Sequence, residues 1–170
     1  MTYIDPEIIR KAVFYARDVM QGMGYNGNHG SIHLMDLKLQ TNTITSILHN
    51  LIGYQISRLS TVWTFHPRGG NTADLTDDRT GIGYSKIQIK VTSDDKIKGN
   101  RISFNEGYFI CVKYYREQYN VLIKQILAGE IMNDGWTRNE KTQLAILKPE
   151  AEKKLMKIWN SEVLEGAISE

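Results

Sequence analysis

The sequence predicts a single α/β or α+β domain with a central mixed β-sheet flanked by helices. Its 170 residues are the size of one domain, and 41% hydrophobic with 24% charged residues is an ordinary globular balance. Helical periodicity marks the first third of the chain, and strand patterns follow it. We therefore divide the domain into N-terminal helices at about 5–60, a sheet at about 61–147 and a C-terminal helix at about 149–160.

Two helices are predicted before the sheet. The first runs from Asp5 to about Met20, because Asp5 can cap it, Pro6 suits its first turn and apolar residues recur at helical spacing after them. Residues 25–30 are rich in glycine and asparagine and are predicted to form a loop. The second helix spans about residues 43–59, with an apolar side formed by Ile44, Leu48, Leu51, Ile52 and Ile56.

The strands follow in chain order. Residues 62–65 are predicted to enter a glycine-rich turn at 66–71, and 73–76 to leave it. Residues 86–92 form the clearest strand, since Ile87, Ile89 and Val91 alternate with Gln88, Lys90 and Thr92. Apolar strands are predicted at 108–115, 120–127 and 143–147. Pro149 then begins a helix that continues to Trp159.

Composition excludes some functional classes. No apolar run approaches the roughly 18 residues of a membrane-spanning helix, and the N-terminus lacks the apolar block of a secretory signal. We therefore expect a cytoplasmic protein without a membrane partner. Cys111 lies in an apolar stretch and is predicted to be buried and unreactive. The net charge is only +2, so a nucleic-acid surface requires local clusters of basic residues.

The candidate catalytic residues are Asp74, Gln88 and Lys90. Phosphodiester hydrolysis needs a cation to neutralise charge on the phosphoryl oxygens and often a positive side chain near the phosphate. Asp74 follows the glycine turn, and Gln88 and Lys90 share one face of a strand. Glu152-Lys153-Lys154 fits the same letters but falls in the predicted final helix, where residues two apart do not share a face. The alternative is that Gln88 and Lys90 simply belong to the solvated face of a sheet.

These residues resemble the active-site motif of PD-(D/E)xK nucleases, particularly small type II restriction endonucleases. Three segments carry the resemblance: Gly69 to Asp74, a hairpin through Gly81 and Gly83, and Ile87-Gln88-Ile89-Lys90. The pattern extends over about residues 61–160. It implies a restriction-endonuclease-like fold, with Asp74 and Gln88 as ligands of Mg²⁺ and Lys90 as the catalytic lysine.

Two residues depart from the family pattern. Ala73 stands where proline is usual, which affects only the turn. Gln88 stands at the second acidic position and offers a carbonyl oxygen without charge, as in restriction proteins similar to the Mrr type. Asp77 or Asp78 could assist metal binding, although both also suit a hairpin turn.

DNA contacts are predicted after the catalytic strand, at Lys96, Lys98, Asn100, Arg101 and Ser103. Lysines suit phosphates, whereas asparagine and arginine can pair with base edges. The alternative is a solvated surface loop. The four histidines, His29, His33, His49 and His66, show no metal-ligand spacing and are predicted to be structural or on the surface.

The resemblance implies Mg²⁺-dependent, sequence-specific cleavage of double-stranded DNA to a 5′-phosphate. We expect a homodimer, since two copies of one active site most simply cut both strands of a symmetric site. Two other functions stay open. One is a repair or junction-resolving nuclease of the same fold, and the other is a non-catalytic DNA-binding module with a decayed centre at Gln88.

Overall fold

A computed structural model of the chain describes residues 4–22, 24–27, 30–33, 37, 39–67, 73–77, 86–99, 106–118, 120–138 and 144–161. The architecture is mixed α and β, with a six-stranded mixed sheet at its centre. The helices are α1 (Pro6–Gly22), α2 (Thr41–Leu59) and the short α3 (Pro149–Glu152). In the described part of the chain, no helix is long and apolar enough to cross a membrane.

Both long helices form where their periodicity predicts. The Asp5 side chain accepts a hydrogen bond from the backbone N–H of Glu7 at 2.8 Å and so caps α1. The residues that set the helical period of α1, Ile9, Val13, Ala16 and Met20, are fully buried. In α2 the buried residues are Ile44, Leu48, Ile52, Gly53 and Ile56.

The central sheet has the strand order β10-β7-β6-β5-β4-β3. Its strands are β3 (Trp63–Phe65), β4 (Leu75–Asp77), β5 (Lys86–Thr92), β6 (Gly107–Glu117), β7 (Asn120–Ile131) and β10 (Met156–Asn160). Only β5 and β6 pair in parallel, and the other neighbours are antiparallel. Two small hairpins complete the described strands: β1 (Gly24–Gly27) with β2 (Gly30–His33), and β8 (Trp136–Arg138) with β9 (Ala145–Leu147).

The sheet is covered on both faces. The first face carries Ile87 and Ile89 of β5 and packs with α1 and α2 into the larger apolar core. The second face carries Phe109, Cys111 and Leu127, which form a smaller core with β8, β9 and residues 97, 151 and 155. The two long helices therefore lie together on one face rather than on both.

The structure differs from the sequence prediction at three elements. Within the predicted loop at 25–30, the described residues 25–27 and 30 belong to strands β1 and β2, because backbone pairing does not require apolar side chains. The final helix ends at Glu152, and Met156–Asn160 forms the edge strand β10 along β7. Strand β8 was not predicted at all, since three residues are too few for a period to show.

Candidate active site

Asp74 lies immediately before β4, where that strand stops pairing with β5. Its Oδ2 accepts a hydrogen bond from the backbone N–H of Ile89 at 2.7 Å. The Asp74 carboxylate thus accepts from a backbone N–H of β5 that lies beyond the β4–β5 pairing. This hydrogen bond holds the Asp74 side chain against β5. Its side chain is 16% exposed, so the group is shielded but still open to a ligand.

His49 of α2 approaches the other oxygen of this carboxylate. Its Nε2 lies 3.3 Å from Asp74 Oδ1, and its Nδ1 lies 3.2 Å from the amide oxygen of Asn50. Burial lowers the pKa of His49, but the hydrogen bond to Asp74 and the charge of that carboxylate outweigh it and hold the pKa above its ordinary value. The protonated form of the His49 imidazole is therefore favoured beside Asp74, the candidate metal ligand.

Gln88 and Lys90 lie on the sheet face opposite the large core. Their register partners on β6 are Phe109 and Cys111, which belong to the smaller core. In the antiparallel pairing of β4 with β5, Leu75 lies opposite Ile87. Continuing this register by one residue places Asp74 opposite Gln88. The structure therefore brings Asp74, Gln88 and Lys90 into one region of the sheet.

The environment of Lys90 is not that of a solvated lysine. Burial lowers its pKa below the ordinary value, against the opposing effects of Asp74 and Cys111. Cys111, its register partner, is fully buried, and burial raises the pKa of that thiol to about 12. Cys111 is thus the inert core residue that the sequence predicts, and Lys90 is a partly buried cation beside a carboxylate.

The donor set suits a hard cation that keeps much of its water. A carboxylate has about four lone-pair sites, so the contacts of Asp74 with Ile89 and His49 leave it able to bind further. Gln88 adds a neutral amide oxygen, and Mg²⁺ is commonly held by one or two carboxylates with water and substrate oxygens. Among the described residues, no group of three or more His, Cys, Asp and Glu side chains forms a protein-only metal cage.

Asp77 is not placed to help that site. It lies on β4 two residues after Leu75, and strand alternation puts both on the face of the large core. Its side chain is completely buried. Asp78 and the residues of the glycine turn and the following hairpin, including Gly70, Gly81 and Gly83, lie outside the described residues.

The predicted DNA-binding segment is attached to β9. Ile97 is buried, Lys98 bridges to Ile146, and the N–H of Gly99 donates to the carbonyl of Ala145 at 2.8 Å. The Lys98 ammonium pairs with Asp94, whereas the exposed Lys96 lines a cavity that is described below. The other three predicted contacts, Asn100, Arg101 and Ser103, lie outside the described residues.

Sequence reasoning missed His49. It lies on α2, which β3 separates from Asp74 along the chain, and nothing in its spacing to other histidines suggested a site. A signal was present in the stripe Thr45, His49 and Gly53, which recurs every four residues beside the apolar side of α2. Thr45 lies 3.0 Å from the Tyr114 hydroxyl of β6, and Gly53 lies against Phe65 of β3, so this stripe faces the sheet.

Comparisons with models of known protein families and with curated proteins give no match. The functional interpretation therefore depends on the geometry described above and on the motif in the sequence.

Proposed function

We propose that the chain is a Mg²⁺-dependent endonuclease that cuts double-stranded DNA at specific sequences, with Asp74, Gln88 and Lys90 at its centre. One observation carries the proposal: the partly buried Lys90 lies beside Gln88 on β5, close enough to the shielded Asp74 carboxylate for that charge to affect the pKa of Lys90. On a fully solvated sheet face, burial would not lower the pKa of a lysine in this way.

Each side chain has a distinct chemical role in this proposal. Asp74 and Gln88 hold the cation, which supplies charge stabilisation at the phosphoryl oxygens. Ile89 N–H and His49 orient the Asp74 carboxylate. Lys90 holds a positive charge at the reacting phosphate, and its partial burial strengthens that interaction because less water screens it.

Loss of cleavage in single-residue variants tests the proposal. Asp74→Asn keeps an oxygen that can accept from Ile89 but removes the charge that holds the cation. Lys90→Ala removes the positive charge at the phosphate. Each change should reduce cleavage of plasmid DNA by about 100-fold or more, the usual cost of losing one preorganised electrostatic contact.

Lys11→Ala is the matched control, since Lys11 is an exposed lysine of α1, on the helix-covered face of the sheet. It should cut at the parental rate. Circular dichroism and thermal unfolding should show all three variants folded. Parental cleavage by either Asp74→Asn or Lys90→Ala would refute the assignment, and mapping the cut ends tests whether a fixed sequence is recognised.

A non-catalytic DNA-binding module is the second candidate. It is favoured by the two contacts that Asp74 already makes, to Ile89 N–H and His49, since these alone give the carboxylate a structural role. DNA binding that persists with no Mg²⁺-dependent nicking would select this function. Cutting of branched or mismatched DNA at no fixed sequence would instead select a repair or junction-resolving nuclease.

A further inference from the structure

A cavity of about 540 Å³ opens between β6 and β7 of the sheet on one side and β9 and α3 on the other. This volume is within the usual range for sites that hold a small molecule, about 300 to 1,000 Å³. Leu127, Ile146 and Leu147 give the cavity apolar walls. Among the described residues, five lysines and two carboxylates also line it: Lys96, Lys113, Lys148, Lys153 and Lys157, with Asp95 and Glu152.

Both carboxylates of this cavity are already paired. Glu152 Oε1 accepts from the buried Lys113 Nζ at 2.5 Å, and Asp95 Oδ1 accepts from Lys124 Nζ at 2.8 Å. The other four lysines of the lining form no ion pair with any residue that the structure describes. The cavity therefore combines uncompensated positive charge with apolar walls, which suits an anion that has an apolar body.

The cavity adjoins the proposed active site on the same sheet face. Lys113 is the register partner of Thr92, and Cys111 is the register partner of Lys90. The Cα atoms of Lys90 and Lys113 are thus one strand and two residues apart, about 8 Å by sheet geometry. The charges of Lys90, Lys113 and Glu152 all affect the pKa of the buried Cys111 thiol, which agrees with their lying near one another.

We propose that this cavity binds one unpaired nucleotide of the DNA strand at the Asp74–Lys90 centre, with its phosphate on the lysines and its base against the apolar walls. The inference rests on the proposed nuclease function and names its substrate class more closely. A paired duplex is too wide to enter a space of this volume. Phosphate contacts alone would also leave the apolar walls without a role.

Fluorescence anisotropy with three labelled DNA probes tests the proposal. The probes are a fully paired duplex, the same duplex with one unpaired nucleotide, and the same bulge with the base removed. An already unpaired base avoids the cost of unstacking, so the bulged duplex should bind at least about tenfold more tightly than the paired one. Removing the base should abolish most of that preference, because only the phosphate contact remains. All titrations are run in EDTA, so that binding is measured without cleavage.

Lys148→Ala/Lys153→Ala should weaken binding of the bulged duplex and reduce the slope of log affinity against log salt by about 1.5, as two lost phosphate contacts predict. Ile146→Glu should remove the preference for the bulge by placing negative charge in the apolar wall. The matched control is Lys11→Ala/Lys154→Ala, which removes the same charge from lysines outside this cavity. It should keep the bulge preference and change the salt slope less. Thermal unfolding checks that each protein is folded.

Equal affinity of the parent protein for paired and bulged DNA would overturn the proposal. So would an unchanged bulge preference in both cavity variants, or competition by a free mononucleotide as strong as that by bulged DNA, since the cavity would then serve a free ligand. Binding as expected without any cutting in Mg²⁺ would refute the nuclease function and leave the nucleotide site in place. The two proposals can therefore fail separately.

Discussion

At the scale of single residues, the surroundings of Lys90 determine how far its side chain is exposed to water. Alternation along β5 identifies which residues share its face but not whether that face is open to water. In the structure a second core covers this face, so Thr92 is buried and burial lowers the pKa of Lys90. Lys90 is therefore partly buried rather than fully solvated. The sequence could not show this covering core, because β8 and β9 are remote from β5 along the chain.

Lys90→Met should stabilise the protein at neutral pH, because a partly buried ammonium loses some of its hydration in the folded state and methionine keeps the apolar stem. The folded-state pKa of Lys90 lies below its unfolded value, so the parent gains stability as pH rises through that lowered pKa toward 10.5. The stability advantage of Lys90→Met over the parent should therefore shrink over this range.

Urea unfolding at pH 7 and pH 10 measures the difference in the free energy of unfolding between the two proteins. Lys86→Met, on the exposed start of β5, is the control and should change little, whereas a destabilised Lys90→Met would contradict the prediction.

Gln88 tests how much charge the proposed cation site needs. Gln88→Glu should lower the Mg²⁺ concentration for half-maximal cleavage, since two carboxylates hold the ion more tightly than one. Gln88→Leu should abolish cleavage because it supplies no oxygen. A Mg²⁺ titration of the three proteins provides the measurement. Parental activity in the leucine variant would show that Gln88 takes no part in the site.

At the scale of elements, hydrophobic periodicity predicts a helix or strand well where the element buries one face. The helices α1 and α2 and the strand β5 were predicted nearly to their ends, because each buries one stripe of side chains. Met156–Asn160 was predicted as helix because Pro149 does begin one. Its strand form comes from pairing with β7 and from the edge-to-face contact of Trp159 with Phe14, at 5.3 Å between ring centroids. Neither partner is adjacent in sequence, so local pattern could not reveal them.

Gly53 makes the packing of α2 against the sheet testable. A Cβ atom there would lie 2.2 Å from the ring of Phe65, so Gly53→Ala should destabilise the protein by about 1–3 kcal/mol despite the better helix propensity of alanine. Gly22→Ala is the control, since nothing lies within 4 Å of its added Cβ at the end of α1. It should be close to neutral. Urea unfolding compares the two, and equal stability of both variants would contradict the close contact.

At the scale of the whole molecule, the site depends on contacts that the motif does not encode. The motif identified Asp74, Gln88 and Lys90 as candidates, and the structure places Asp74 immediately before β4, next to the strand that carries the other two. It did not give His49, which reaches Asp74 only because α2 packs across β5, nor the lysine cavity, which forms between the sheet and α3. These features arise from tertiary packing, whereas a sequence motif records residues that share one strand or turn.

The proposed homodimer makes a prediction about the whole assembly. If two copies act together, one inactive subunit should leave one DNA strand uncut. The parent chain and Lys90→Ala, each with its own affinity tag, can be co-expressed and purified through both tags to isolate mixed dimers. With supercoiled plasmid these dimers should accumulate nicked circles, whereas the parental protein should yield linear DNA. The parent with two different tags is the control. Failure to recover any doubly tagged species, or linear product from the mixed dimer at half the parental rate without nicked circles, would show that each chain acts alone.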